Sequence, residues 1–248
     1  MEQKMDSELI NRLSQVRKNE TVDFRWQSLR IMVKRDIVGE KVLDAGCGTG
    51  HLTLDLLTEG YEVTAIDGSG EFINSIKTRA EKHISKLQAY TMNLEDCRKM
   101  GEEVFDTVIC LDVLEHIEND DDAIDNLKYV LKKKGRMIIT VPSLQALYGE
   151  RDRKIGHFRR YERGNIIRKL AQHQLEVTEI RFWNFLGVVP FFISEKILHK
   201  EVNENVRYST CYLSLLLNRV LFWWFKNIEN SIRPPFGLSL FIICKKRG

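Results

Sequence analysis

Asp44 closes an apolar run and is followed by three glycines, Gly46, Gly48 and Gly50, in the stretch V-L-D-A-G-C-G-T-G from Val42 to Gly50. Such a strand-to-helix turn lets backbone approach a ligand closely, because glycine has no Cβ to stand in the way. A dinucleotide site carries G-x-G-x-x-G at this place and rests a pyrophosphate on a helix N-terminus. Here the third glycine comes one residue early and a carboxylate stands at the strand end. Negative charge there repels a pyrophosphate and suits a cationic ligand, such as the ammonium and sulfonium of S-adenosylmethionine. The stretch favours that ligand over NAD. Asp67, at the end of the next strand-like run and followed by Gly68, suits a pair of ribose hydroxyls, a feature both ligands share.

A second group of reactive side chains lies in E-R-D-R-K-I-G-H-F-R-R-Y, Glu150 to Tyr161. His157 is the candidate general base, since imidazole is the side chain whose charge ordinarily changes near neutral pH. Tyr161 is the candidate to orient or deprotonate an acceptor, and Arg159 and Arg160 to hold its anionic group. The plainer alternative is that the arginines pair with Glu150, Asp152 and Glu162. His116, in L-E-H, reads as packing beneath the site, and Cys47 as a small residue that fits the glycine turn.

Positioning these groups requires a sheet. From Lys41 the pattern alternates, with strands near Val42, Val63, Leu87, Thr107 and Met137 and helices near His51, Glu71 and Asp122. That order implies parallel strands joined by right-handed crossovers. Before it, Leu9 to Val38 reads as two helices, the second capped by Asp23. Glu118 to Asp122 reads as helix capping. After the basic loop come a short helix around Ile166 to Ala171 and a strand near Leu175 to Phe182. Apolar helical material then fills Phe185 to Leu198 and Tyr208 to Ile232, ending at Pro234 and Pro235.

With 248 residues, 43% hydrophobic and 29% charged, the chain fits one globular domain and not a disordered one. A net charge of +3 is too small to argue for nucleic acid. Five scattered cysteines without C-x-x-C read as free thiols in a reducing cytoplasm. No signal-peptide core and no run of about eighteen apolar residues is seen, so a cytoplasmic protein is expected.

Four segments in order, D-A-G-C-G-T-G, A-I-D-G-S (Ala65 to Ser69), F-D-T-V-I-C-L-D-V-L-E-H-I (Phe105 to Ile117) and G-R-M-I-I-T-V-P (Gly135 to Pro142), resemble the core of the class I S-adenosylmethionine-dependent methyltransferases. G-H-F-R-R-Y and P-F-G-L-S-L, near the C-terminus, resemble a bacterial small-molecule subgroup. The resemblance implies an α/β, Rossmann-like, doubly wound seven-stranded sheet whose last strand, Leu238 to Lys245, runs antiparallel beside the sixth. It divides one domain into an N-terminal helical cap (1–38), a core (41–183 and 237–248) and a helical insertion (184–236).

It further implies that Asp44, Gly46, Gly48 and Gly50 cradle the methionine half of S-adenosylmethionine. Asp67 and Gly68 would take its ribose, Asn93 and Leu94 its adenine, and Leu111 the neighbourhood of the sulfonium. Asp112, Arg159, Arg160 and Trp26 are the expected acceptor contacts. No metal is expected, since the strand ends offer Asp112 but then Pro142 and Ser143. The leading function is methyl transfer to oxygen or nitrogen of a small or medium-sized organic acceptor, a biosynthetic natural-product intermediate, with S-adenosylhomocysteine as product. A lipid-linked acceptor at a membrane surface and a non-catalytic binding scaffold are the alternatives. The insertion leaves peripheral membrane contact and a homodimer both open, and no nucleic-acid partner is expected.

Overall fold

The computed structural model describes residues 24–198 and 212–247. Its strands are β1 (Lys41–Ala45), β2 (Glu62–Asp67), β3 (Leu87–Thr91), β4 (Phe105–Leu111), β5 (Leu131–Pro142), β6 (Leu175–Trp183) and β7 (Ser239–Lys246). They form one Rossmann-like sheet in the order β3-β2-β1-β4-β5-β7-β6. β1 to β5 pair in parallel. β7 lies between β5 and β6 and is antiparallel to both, so it meets β5 as well as the expected sixth strand. The chain leaves β1 towards β2 and β3 on one side and resumes at β4 on the other. This reversal opens a crevice at the carboxyl ends of β1 and β4.

Strands covered on both faces need nearly continuous apolar sequence, which is what β1, β2 and β4 have. Alternate side chains feed two cores. Leu43, Val108, Cys110, Ile139 and Val141 face α4 (Asp120–Val130) and α6 (Arg163–Gln172). Val42, Ile109 and Ile138 face α1 (Phe24–Asp36), α2 (His51–Thr58) and α3 (Gly70–Arg79). In α4, Ala123, Ile124, Leu127 and Val130 are fully buried at helical spacing. Each of the large ones contributes about 1.5 to 3 kcal/mol of transfer free energy.

α4 is capped by Asn119, whose Oδ1 accepts from the Asp122 amide at 3.4 Å. Only part of the expected acidic cap therefore acts as one, because Asp120 is buried and holds Tyr161 instead. The expected first helix near Leu9 and its neighbour's cap Asp23 lie outside the described residues. The basic loop after β5 is shorter than expected, since α5 (Glu150–Lys154) forms within it.

Between β6 and β7 lie α7 (Val188–Phe192), continued as a π-helical turn to Leu198, and α8 (Tyr212–Trp224), continued likewise to Glu229. The end of this segment is anchored on the α1 face. Phe225 is fully buried, with ring centroids 5.2 Å from Phe24 and 5.5 Å from Trp183. Arg181 of β6 donates to the carbonyls of Glu229, Asn230 and Ile232. Val189, Ile197, Val220 and Trp223 remain more than half exposed. No helix among the described residues is long and apolar enough to cross a membrane.

Candidate active site

Three carboxylates stand at or just beyond the carboxyl ends of adjacent strands: Asp44 on β1, Asp67 on β2 and Asp112 after β4. Asp44 is buried and accepts a hydrogen bond from Thr53 Oγ1 at 2.6 Å, which turns its charge towards the start of α2. Asp67 accepts from the amides of Gly48 (2.9 Å) and Ser69 (2.8 Å), so the second loop clamps the glycine turn while further lone pairs stay available. Ser69, not Asp67, caps α3. Asp112 sits in the left-handed region at φ 52° and is fixed by β5, where Thr140 Oγ1 donates to its Oδ1 at 2.9 Å.

The glycine turn is tight for steric reasons. Gly46, Gly48 and Gly50 all have positive φ. A Cβ on Gly46 would collide with Val113, and one on Gly50 with Ile76. The Gly46 and Cys47 amides both donate to the Ile66 carbonyl, at 2.8 and 3.0 Å, which seats the turn on β2. Asn93 is exposed beside Gly68, whereas the Leu94 side chain is buried in the core, leaving only its backbone for a ligand. Leu111 is half-buried at the end of β4.

Across the crevice the loop after β5 is held by buried ion pairs. Asp152 is fully buried and accepts from Arg160 Nε (2.8 Å), the Gly149 amide (3.1 Å) and the His157 ring at Nδ1 (3.0 Å). Burial opposes its charge, yet the bonds from His157 and Arg160 outweigh that and bring its pKa down to about 2. Arg160 also stacks on Phe191, 4.5 Å from the ring centroid. Arg159 pairs with Asp120 at 2.8 Å, and Tyr161 donates to Asp120 Oδ2 at 2.8 Å. Burial, together with Asp120, drives the Tyr161 hydroxyl far above its ordinary range.

His157 packs edge-on against His116, ring centroids 4.5 Å apart, and its Nε2 faces Glu115 Oε1 at 3.8 Å. Glu115 is 1% exposed, and burial, reinforced by Asp112, pushes its carboxyl well above the usual range. His116 keeps part of its surface in solvent, but desolvation of the ring and the neighbouring His157 lower its pKa.

This geometry can hold a cationic ligand against the three strand-end carboxylates and face it with titratable groups. Residues 37–183 match a family model described as a methyltransferase domain. The chain belongs to the class I S-adenosylmethionine-dependent methyltransferase family. Among curated relatives, the ubiquinone biosynthesis O-methyltransferase of Rickettsia felis is 35% identical over 105 residues, 42% of each chain. The chain thus spans about two fifths of that relative's length. Two solved structures share the fold at 16% identity. One is the Burkholderia thailandensis 1,6-didemethyltoxoflavin-N1-methyltransferase with bound 1,6-didemethyltoxoflavin and S-adenosylhomocysteine, with a TM-score of 0.58 over 91% of this chain and 79% of that one. The other is Haemonchus contortus phosphoethanolamine N-methyltransferase 2 with S-adenosyl-L-methionine, with a TM-score of 0.60 over 90% and 52%.

Within the methyltransferase, several residues expected to face an acceptor are engaged elsewhere. Tyr161, Arg159 and Arg160 each meet one of the protein's own carboxylates: Arg160 pairs with Asp152, as in the plainer alternative, whereas Arg159 pairs with Asp120, which that alternative does not include. Arg160 and Tyr161 are also buried. Trp26 is half-buried against the core cluster that holds α1 and Phe225. His157 is beside the crevice but oriented by Asp152, which is at once the partner of Arg160 that the sequence suggests and the support of the histidine, which the sequence does not announce. Glu115 is a further site residue without a role among the sequence expectations, although a lone carboxylate in V-L-E-H-I is a signal of a buried group. The expectation of no metal considered strand ends only, whereas Glu115, His116 and His157 converge from two loops.

Proposed function

We propose that this protein transfers a methyl group from S-adenosylmethionine to oxygen, or alternatively nitrogen, of a small or medium-sized organic acceptor, a biosynthetic intermediate, in the cytoplasm. The observation that carries the reading is the set of strand-end carboxylates around a turn with no room for a Cβ at Gly46 or Gly50. Asp44 and the glycine backbone would hold the amino-acid half of the cofactor, Asp67 its ribose, and Asn93 with the Leu94 backbone its adenine. When bound, the cofactor supplies a methyl group on a sulfonium, whose leaving group is already good, so the protein's main task is alignment. Asp112, fixed by Thr140, would border the acceptor. Proton removal would fall to the cluster of His157, His116 and Glu115. The name of the Rickettsia relatives supports oxygen as the acceptor atom, and the buried free thiols Cys97, Cys110 and Cys244 fit a reducing compartment.

Isothermal titration with S-adenosylhomocysteine tests the site. Saturable binding is expected for the wild type and its loss for Asp67→Ala; equal affinities would remove the ribose assignment. Incubating cell extract with methyl-labelled cofactor and reading the products by mass spectrometry would then identify the acceptor, and no label transfer would point to a binding scaffold. A second reading, an amphiphilic acceptor reached at a membrane surface, is favoured by exposed Val189, Ile197, Val220 and Trp223. Flotation with liposomes separates it from self-association, which sedimentation would detect.

A further inference from the structure

We propose that Glu115, His116 and His157 form a binding site for one divalent transition-metal ion of the zinc type on the acceptor side of the crevice. One candidate ligand atom from each lies within 4.8 Å of the others. Ligands in a tetrahedral zinc site sit about 3.4 Å apart, given bond lengths of about 2.1 Å. The Glu115–His157 pair, at 3.8 Å, is already close to that.

Hydrogen bonding fixes what the cluster lacks. Asp152, an acceptor paired with Arg160, takes the hydrogen of His157 Nδ1. In the neutral imidazole this leaves a lone pair on His157 Nε2, which faces Glu115 Oε1 at 3.8 Å, so the pair needs either a proton or a cation between its two acceptors. The second oxygen, Glu115 Oε2, is buried with no hydrogen-bond partner. A buried, unpaired carboxylate is costly unless a proton neutralises it or a cation completes it, and only the cation would also use Oε2 and both imidazoles. A histidine whose far nitrogen is held by a carboxylate is the usual support of a zinc ligand. The loops are also stapled together, since the Phe158 amide donates to the Glu115 carbonyl at 2.8 Å. Two imidazoles and one carboxylate suit zinc better than magnesium or calcium, and three protein ligands leave a fourth position open. Asp112, Glu115 and His116 share the segment that follows β4, which places the site near the acceptor border. With a metal in place these side chains would be ligands and not free bases, and the cluster would assist proton removal by making an acceptor hydroxyl in the fourth position more acidic. That last step rests on the methyltransferase reading; the metal site itself does not.

The competing arrangement is a single proton shared between Glu115 and His157. To separate them, the full chain is stripped with chelator, dialysed and titrated with Co²⁺ alone, reading visible d–d absorption, then with Zn²⁺ as competitor. One equivalent of Co²⁺ with intense tetrahedral bands, displaced by Zn²⁺, is expected. Glu115→Gln, His116→Gln and His157→Gln should each weaken binding by more than the about 10- to 100-fold that follows loss of a supporting group. If Glu115→Gln does not fold, partly exposed His116 carries the test, with circular dichroism as the folding control. Absence of saturable Co²⁺ binding, or binding unchanged in the folded variants, overturns the proposal. Titration with S-adenosylhomocysteine on the same samples reports on the methyltransferase reading separately: cofactor binding without metal sinks only the metal site, and metal binding without cofactor sinks only the other.

Discussion

The two sides of the crevice are built differently. The side formed by β1 and β2 is made of backbone: glycine torsions, amides seated on the Ile66 carbonyl and two carboxylates at strand ends. The side formed by the loops after β4 and β5 is made of side chains, joined by Asp120 to partners far along the chain and by Asp152 to partners within its own loop. A backbone-built site fails when a Cβ is added. One built from buried ion pairs fails when a charge is left alone.

The largest effect expected is for Arg160→Met, which takes the guanidinium from the buried Asp152 carboxylate, leaves it only His157 and the Gly149 amide, and should cost about 3 to 5 kcal/mol. Urea denaturation would measure it, and cofactor affinity of the folded fraction should be unchanged. A loss below about 1 kcal/mol would erase the contrast. Gly46→Ala should do the reverse. At φ 76° a side chain costs about 1 to 2 kcal/mol, and the clash with Val113 should lower affinity for S-adenosylhomocysteine more than tenfold by calorimetry. Tyr161→Phe removes one of the groups on Asp120 and should cost about 1 to 2 kcal/mol with turnover unchanged, because Arg159 and Lys169 remain on that carboxylate. A fall in turnover without loss of stability would return Tyr161 to the chemistry.

The smallest effect concerns His173, at the end of α6, which contacts Asp125 and Asp121 at 2.8 Å each. Partial burial opposes its charge, but those two carboxylates prevail and raise its pKa above the ordinary 6.5. Its contribution is therefore full below about pH 6.5 and lost as pH rises through the folded value. Thermal melts across that range should differ between wild type and His173→Gln by less than about 1 kcal/mol, the difference vanishing at high pH.

Local patterns made the strands and the glycine turn readable. Val42, Val63, Thr107 and Met137 lie in runs apolar enough to be buried on both faces, and Asp44 and Asp67 end theirs. The other side is less readable because the Asp120 partners are distant in sequence and because burial of Asp152 cannot be seen in a charged stretch. Nothing near Tyr161 announces that Asp120 will receive its hydroxyl, and Glu150 to Lys154 reads as a charged loop until Asp152 is taken into the interior. His157 was noticed from its type, but its orientation depends on a buried neighbour.

The placement of β7 sets an order of assembly. β6 touches the rest of the sheet only through β7, which comes after the whole of residues 184–238. During synthesis β6 must wait with an unpaired edge while the ribosome makes that stretch, and the final slot is filled by threading a late strand between two earlier ones. Stopping translation before Ser239 would leave five strands able to pair and the sixth without a neighbour.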